Sequence, residues 1–137
     1  MALPVVIFPD VELWSTTYLR GRLAGRPEAF AGGVFVGNVV PGTRRDRMVV
    51  FRRDGGPRVS AVTDAARLSV RVWGRTEQEA TDLARLVRAL LHDATSDDDG
   101  PVVRVADQSG PSPVADESNQ PLRFMVVELF VRGTALT

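Results

Sequence analysis

The run "LRFMVVELFVR", Leu122 to Arg132, constrains the fold more than any other part of the chain. Side chains alternate across a strand, so Met125, Val127, Leu129 and Val131 form one clean apolar face. Leu122, Phe124, Val126 and Phe130 make the opposite face almost as apolar, and only Glu128 interrupts it. Such a strand needs cover on both sides. Two arrangements remain open for the second side. Either the strand is central and loops pack on its second face, or that face meets a neighbouring subunit, since apolar patches on a monomer seldom exceed a few hundred Å².

Two helices are available to cover the first face. Asp10 is an N-cap candidate, and from it to about Ala24 the residues Val11, Trp14 and Tyr18 share a helical stripe, with Leu19 and Leu23 beside it. Gly25, Pro27, Gly32 and Gly33 break this pattern, so the chain to about Val34 reads as a loop. The second helix is clearer. Thr76 and Glu79 form a capping box, in which the hydroxyl accepts from the Glu79 amide and the carboxylate reaches back to the cap. Ala80, Leu83, Ala84, Val87, Leu90 and Leu91 follow at helical spacing. Acidic Glu77, Glu79 and Asp82 lie early and basic Arg85, Arg88 and His92 late, in the order that suits the helix dipole. A polar loop, Ser96 to Gly100, ends it.

Further strand signals fall at Val34–Val40, Arg47–Arg53, Arg67–Trp73 and Val102–Ala106. In "RLSVRVW", Leu68, Val70 and Val72 face one side, while Ser69, Arg71 and Trp73 fall on the polar side. The segment "SGPSPVADESNQP", Ser109 to Pro121, reads as a surface loop. The predicted fold is α+β: a single small, mostly antiparallel, mixed β-sheet with two helices packed on it. Its 137 residues, 44% of them hydrophobic, suit one core and one domain, 1–137.

Little in the sequence supports catalysis. There is no cysteine, which removes disulfides, thiolate nucleophiles and cysteine-ligated metals together. No lysine is present, and "GGVFVG", Gly32 to Gly37, leads into a strand signal rather than a helix, so no phosphate-cradling loop is predicted. His92, the only histidine, closes a helix whose pattern already explains it. Asp97, Asp98 and Asp99 lack the alternation and the distant glutamate of a calcium loop and read as solvated acid. Asp116 and Glu117 are adjacent and point opposite ways in an extended segment. No catalytic residue, cofactor or metal is therefore predicted. The 17 basic and 17 acidic residues cancel, so no overall field draws the chain to nucleic acid or to anionic lipid. The N-terminal "ALPVVIF" is short, lacks a basic flank and ends in Pro9-Asp10, unlike a secretory signal or a membrane span.

What remains is an arginine cluster: Arg44, Arg45, Arg47, Arg52, Arg53 and Arg58. In "VVFRRDGGPR", Asp54-Gly55-Gly56 supplies turn chemistry and Pro57 closes the loop. The arginines either guard the edges and tip of a hairpin or form a binding surface for phosphate or for an acidic patch on another subunit. Nucleic-acid binding would ask for stacking aromatics, and only Phe51 is near. Trp73, Leu122, Phe124 and Phe130 complete the set of candidate interface residues.

The series "VVFRRDGGPR", "ARLSVRVWGRTEQEATDLARLVRALL", "GPVVRV" and "ESNQPLRFMVVELFVRG" resembles the tail terminator, or tail-completion, proteins of long-tailed bacteriophages infecting actinobacteria. The resemblance runs from about residue 47 to residue 133. It implies an α+β fold and a non-enzymatic virion protein at the head-proximal end of the tail, made in the host cytoplasm. It further implies a homo-oligomeric ring, typically a hexamer, that caps the tail tube, ends its growth and joins it to the head-side connector. Its partners would be further copies of itself, the tail-tube protein and the connector protein, with no membrane and with DNA met only in the ring lumen. No residue-by-residue site transfers with the resemblance. A related neck or head-closure role, or a monomeric module binding nucleic acid or an acidic partner through the arginine hairpin, are the alternatives.

Overall fold

The computed structural model describes residues 4–136; Ala2 and Leu3 of the N-terminal run lie outside them. Helix α1 spans Val11–Ala24, and Asp10 caps it by accepting from the Leu13 amide at 3.1 Å. Its buried stripe is Val11, Ser15, Leu19 and Leu23, one residue every four. Trp14 and Tyr18 do not lie on it. Their rings stack at 4.8 Å on the half-exposed flank, where the Tyr18 hydroxyl donates to the Leu90 carbonyl.

Helix α2 spans Glu77–Asp93, and all six predicted apolar positions are buried. The capping box is only half formed. Thr76 accepts from the Glu79 amide at 3.1 Å, but the Glu79 carboxylate is engaged by the Arg47 guanidinium. A charge-assisted pair outcompetes a neutral backbone donor, and it ties the helix start to the sheet.

Five strands form the main sheet: β2 (Phe35–Gly37), β3 (Met48–Arg53), β4 (Thr63–Trp73), β5 (Val102–Val114) and β6 (Leu122–Arg132), after a first short strand β1 (Val6–Ile7). Their order is β2-β3-β4-β6-β5. β2 runs parallel to β3 and the other pairs are antiparallel, so the sheet is mixed, as predicted. A last strand, β7 (Thr134–Ala135), pairs with β1 in a separate ribbon that brings the two ends of the chain together. The crossover β4–α2–β5 leaves a slot between parallel β4 and β5, and β6 fills it. This central place explains why β6 is apolar on both faces.

Both helices lie on one face. There Val49, Phe51, Leu68, Val70, Val72, Met125, Val127 and Leu129 from the sheet meet Leu19, Leu83, Val87 and Leu91 from the helices in the main core. Two strands run longer than their sequence signals. β4 starts at Thr63, where Ala65 and Ala66 are buried but lack the β-branched signature. β5 continues through "QSGPSPV" to Val114, so the predicted loop from Ser109 begins as strand and only residues 115–121 connect it to β6. An edge strand pairs on one side only and can carry prolines such as Pro111 and Pro113. Register shifts at Asp107/Ser109 and Ser109/Ser112 bend it. Gly110 sits among them with φ +80°, and a side chain there would strike the Phe124 carbonyl.

Candidate functional site

The turn chemistry of "RRDGGPR" builds the β3–β4 hairpin as read from sequence. Gly55 and Gly56 take φ of +89° and +100°, which L side chains rarely adopt. The ladder continues beyond the strands, with the Arg67 amide donating to Gly55 O and the Ala65 amide to Pro57 O. This compact tip fixes two of the candidate arginines, Arg53 and Arg58, and leaves Arg52 loosely held. Arg53 pairs at 2.9 Å with Asp64, whose side chain is only 8% exposed. Arg58 donates to the Ser60 and Ala61 carbonyls and lies over the Phe8 ring at 5.3 Å. Arg52 has one long bond, 3.4 Å, to the Asn38 carbonyl.

Arg44, Arg45 and Arg47 lie at the other end of β3. Six residues of strand separate the groups by roughly 20 Å, so the sequence cluster is two sites in space. Arg45 donates to Gly33 O, and Arg47 to Gly32 O and Glu79. Arg44 belongs to a clasp. Its guanidinium meets Asp116 at 2.9 Å and Gln120 at 2.6 Å and lies over Trp73 at 5.5 Å. Asp116 also accepts from the Trp73 indole N–H at 3.1 Å and from the Ser118 hydroxyl, while Gln120 donates to the Arg45 carbonyl.

The clasp folds residues 115–121 over one end of the sheet's second face. Beneath it, Met48, Val50, Trp73 and Leu122 form a second, smaller core, with Phe35 and Val40 packed on it. Trp73 and Leu122, interface candidates by sequence, are 1% and 5% exposed within the single chain and belong to its own core. Alternation placed Trp73 on the second face correctly; a loop then covered it. The carboxyls of Asp116 and Glu79 are held below their ordinary values, Asp116 first by the Ser118 hydroxyl and Glu79 first by Arg47.

Among the described residues, the rest of the second face has no such cover. Phe124, Val126 and Phe130 are half-buried there. Arginines fringe them: Arg71 pairs across from Phe124 in the ladder, and Arg104 lies over the Phe130 ring at 4.9 Å. The alternation in "RLSVRVW" already puts Arg71 on this side, whereas Arg104, two residues after the core-facing Val102, reaches it only through the register shift between Val102 and Arg104, which the sequence does not show. A third feature was not legible. The β1–β7 ribbon and the turn before β4 gather the exposed Val5, Ile7, Val59, Val62 and Leu136 at one end of the molecule, beside an open concavity of about 440 Å³.

His92 meets Asp107 at 3.0 Å, and Arg88 holds the same carboxylate at 2.7 Å, docking α2 on β5. Arg88 keeps the Asp107 carboxyl below its ordinary value. Among the described residues, no group of three or more His, Cys, Asp or Glu side chains is placed to hold a metal ion. No helix among them is long and apolar enough to cross a membrane.

No curated protein matches the chain. A solved chain in the virion of a native gene transfer agent particle has a similar fold, with a TM-score of 0.64 at 15% identity over 86% of this chain and 94% of that one. The model of the family described as tail completion protein gp17 matches residues 17–126, from within α1 to the middle of β6. With the second half of α1, all of α2 and four of the five main strands inside that match, the chain belongs to the tail completion protein gp17 family and is a structural protein of the bacteriophage tail.

Proposed function

We propose that the protein acts without catalysis, by closing into a ring of its own copies that caps the tail tube, ends its growth and presents a seat for the head-side connector. Six copies is the number the family resemblance implies. One observation carries the reading: a family member for tail completion has a sheet whose second face is roofed at the Trp73 end and left open at Phe124, Val126 and Phe130. Open aromatic surface of this kind is stabilised by a partner. Ring closure needs two unlike surfaces, one meeting the other on the next copy, and the open face and the apolar end at Ile7 and Val62 are two such surfaces.

Light scattering and negative-stain imaging over a concentration series, alone and with tail-tube protein, test the reading. Discrete closed multimers support it. Monomers that instead bind DNA, with affinity falling steeply as salt rises, would favour a nucleic-acid module.

A further inference from the structure

Most arginines of this chain are matched by a carboxylate of the same chain. Arg52, Arg71 and Arg104 have no ion-pair partner among the described residues, and all three rise from the open sheet face. Glu128 is the one carboxylate on the strands of that face, opposite Arg67 in the ladder. The face is thus apolar at its centre and basic around it.

A counterpart of opposite charge lies on the same chain. Asp97, Asp98 and Asp99 are exposed and form no ion pair among the described residues. The Asp97 carboxylate accepts from the Asp99 amide, which leaves Asp98 and Asp99 free. Their turn borders the concavity lined by Ile7, Phe8 and Arg132, next to the exposed apolar end. Three carboxylates outweigh the two guanidiniums there, Arg132 and Arg58. The chain as a whole is neutral, with 17 charges of each sign, so a local excess of one sign on one surface stands against an excess of the other sign elsewhere on the same chain.

We propose that the open face of one copy receives the acidic apolar end of the next, with Asp98 and Asp99 meeting Arg104 beside an apolar contact between Phe130 and Ile7, while Arg52 and Arg71, farther along the face, add to the positive field that draws the acidic end in. The contact is head-to-tail, as ring closure requires. Charge pairing fixes its register, and apolar burial supplies its driving force. This inference rests on the ring reading and names the two surfaces that make it.

Two variants test it. Arg52→Glu/Arg104→Glu reverses the face, and Asp98→Arg/Asp99→Arg reverses the end. All four residues are exposed, so circular dichroism and thermal unfolding should stay near wild type. Each variant alone should need about a hundredfold more protein for half-assembly, because like charges now meet. Mixing the two should restore assembly, since in an alternating ring every contact again joins opposite charges. Combining all four changes in one chain should restore it as well. Variants that assemble like wild type, or a mixture that stays monomeric while wild type assembles, would overturn the inference and leave the ring reading standing. Loss of oligo(dT) binding in the face variant with assembly intact would overturn it in favour of a nucleic-acid platform. A wild-type chain that stays monomeric at its highest soluble concentration and beside tail-tube protein would overturn both.

Discussion

Arg52 and Arg53 are neighbours in sequence with opposite predicted behaviour. Arg53 reaches Asp64 at 2.9 Å and Gly55 O at 3.2 Å, and the Asp64 side chain is 8% exposed against 33% for Arg53. Removing one partner of a fully buried pair costs about 3–5 kcal/mol, whereas an exposed pair contributes about 0.2–1 kcal/mol. With the carboxylate buried and the guanidinium a third open, Arg53→Ala should cost about 2 kcal/mol. At about 3–5 °C per kcal/mol for a domain of this size, Tm should fall by about 6–10 °C. Arg52 is exposed and holds one 3.4 Å bond, so Arg52→Ala should stay within about 0.5 kcal/mol of wild type. Urea unfolding at a concentration where each variant is monomeric measures both. Arg53→Ala/Asp64→Asn should recover more than half of the loss, because the penalty comes from the stranded charge. Equal midpoints for Arg52→Ala and Arg53→Ala, or no recovery in the double variant, would refute the reasoning.

The remaining predictions concern the clasp, the turn and the open face. Since the folded state holds the Asp116 carboxyl low, it stabilises the clasp above the ordinary carboxylate range and loses that contribution as pH falls below it. In a Trp14→Phe background, Trp73 emission should therefore shift red only in acid, and Asp116→Asn should remove that step; unchanged emission across the acid range would contradict the clasp. Gly55 and Gly56 should separate in a stability assay. Gly55→Ala meets open space and should cost about 1–2 kcal/mol from its positive φ alone. Gly56→Ala also strikes the Ala65 carbonyl, so its urea midpoint should fall well below that of Gly55→Ala. Phe130→Asp should leave the chain soluble and folded by circular dichroism while abolishing assembly; aggregation or unfolding would show that this half of the face is internal core.

Local pattern carried much of the fold. The double-faced apolar run of β6 called for cover on both sides, which its central place supplies in part, and the Thr76 cap with its helical spacing marked the start of α2 and its buried face. The second half of β5 was hidden because "QSGPSPV" has loop composition, and only pairing with β6 holds it extended. β1 and β7 are two residues each, too short to show any period. The candidate site was legible in part. Phe124 and Phe130 stand where alternation put them, but the fate of Trp73 depended on Asp116 and Arg44, which lie 43 and 29 positions away and meet it only after the sheet has formed (116 − 73 and 73 − 44). The arginine cluster misled for a related reason. Proximity along an extended strand spreads side chains rather than gathering them, and most of these guanidiniums are spent inside the chain.

The central claim is that closed rings of this protein end the growth of the tail tube. Tail-tube protein should be polymerised with and without it, and tube lengths and ends measured by negative-stain imaging. The account predicts shorter tubes of narrow length distribution, each bearing a ring of protein density at one end. Tubes of unchanged length with bare ends, beside a strict monomer in solution, would contradict it.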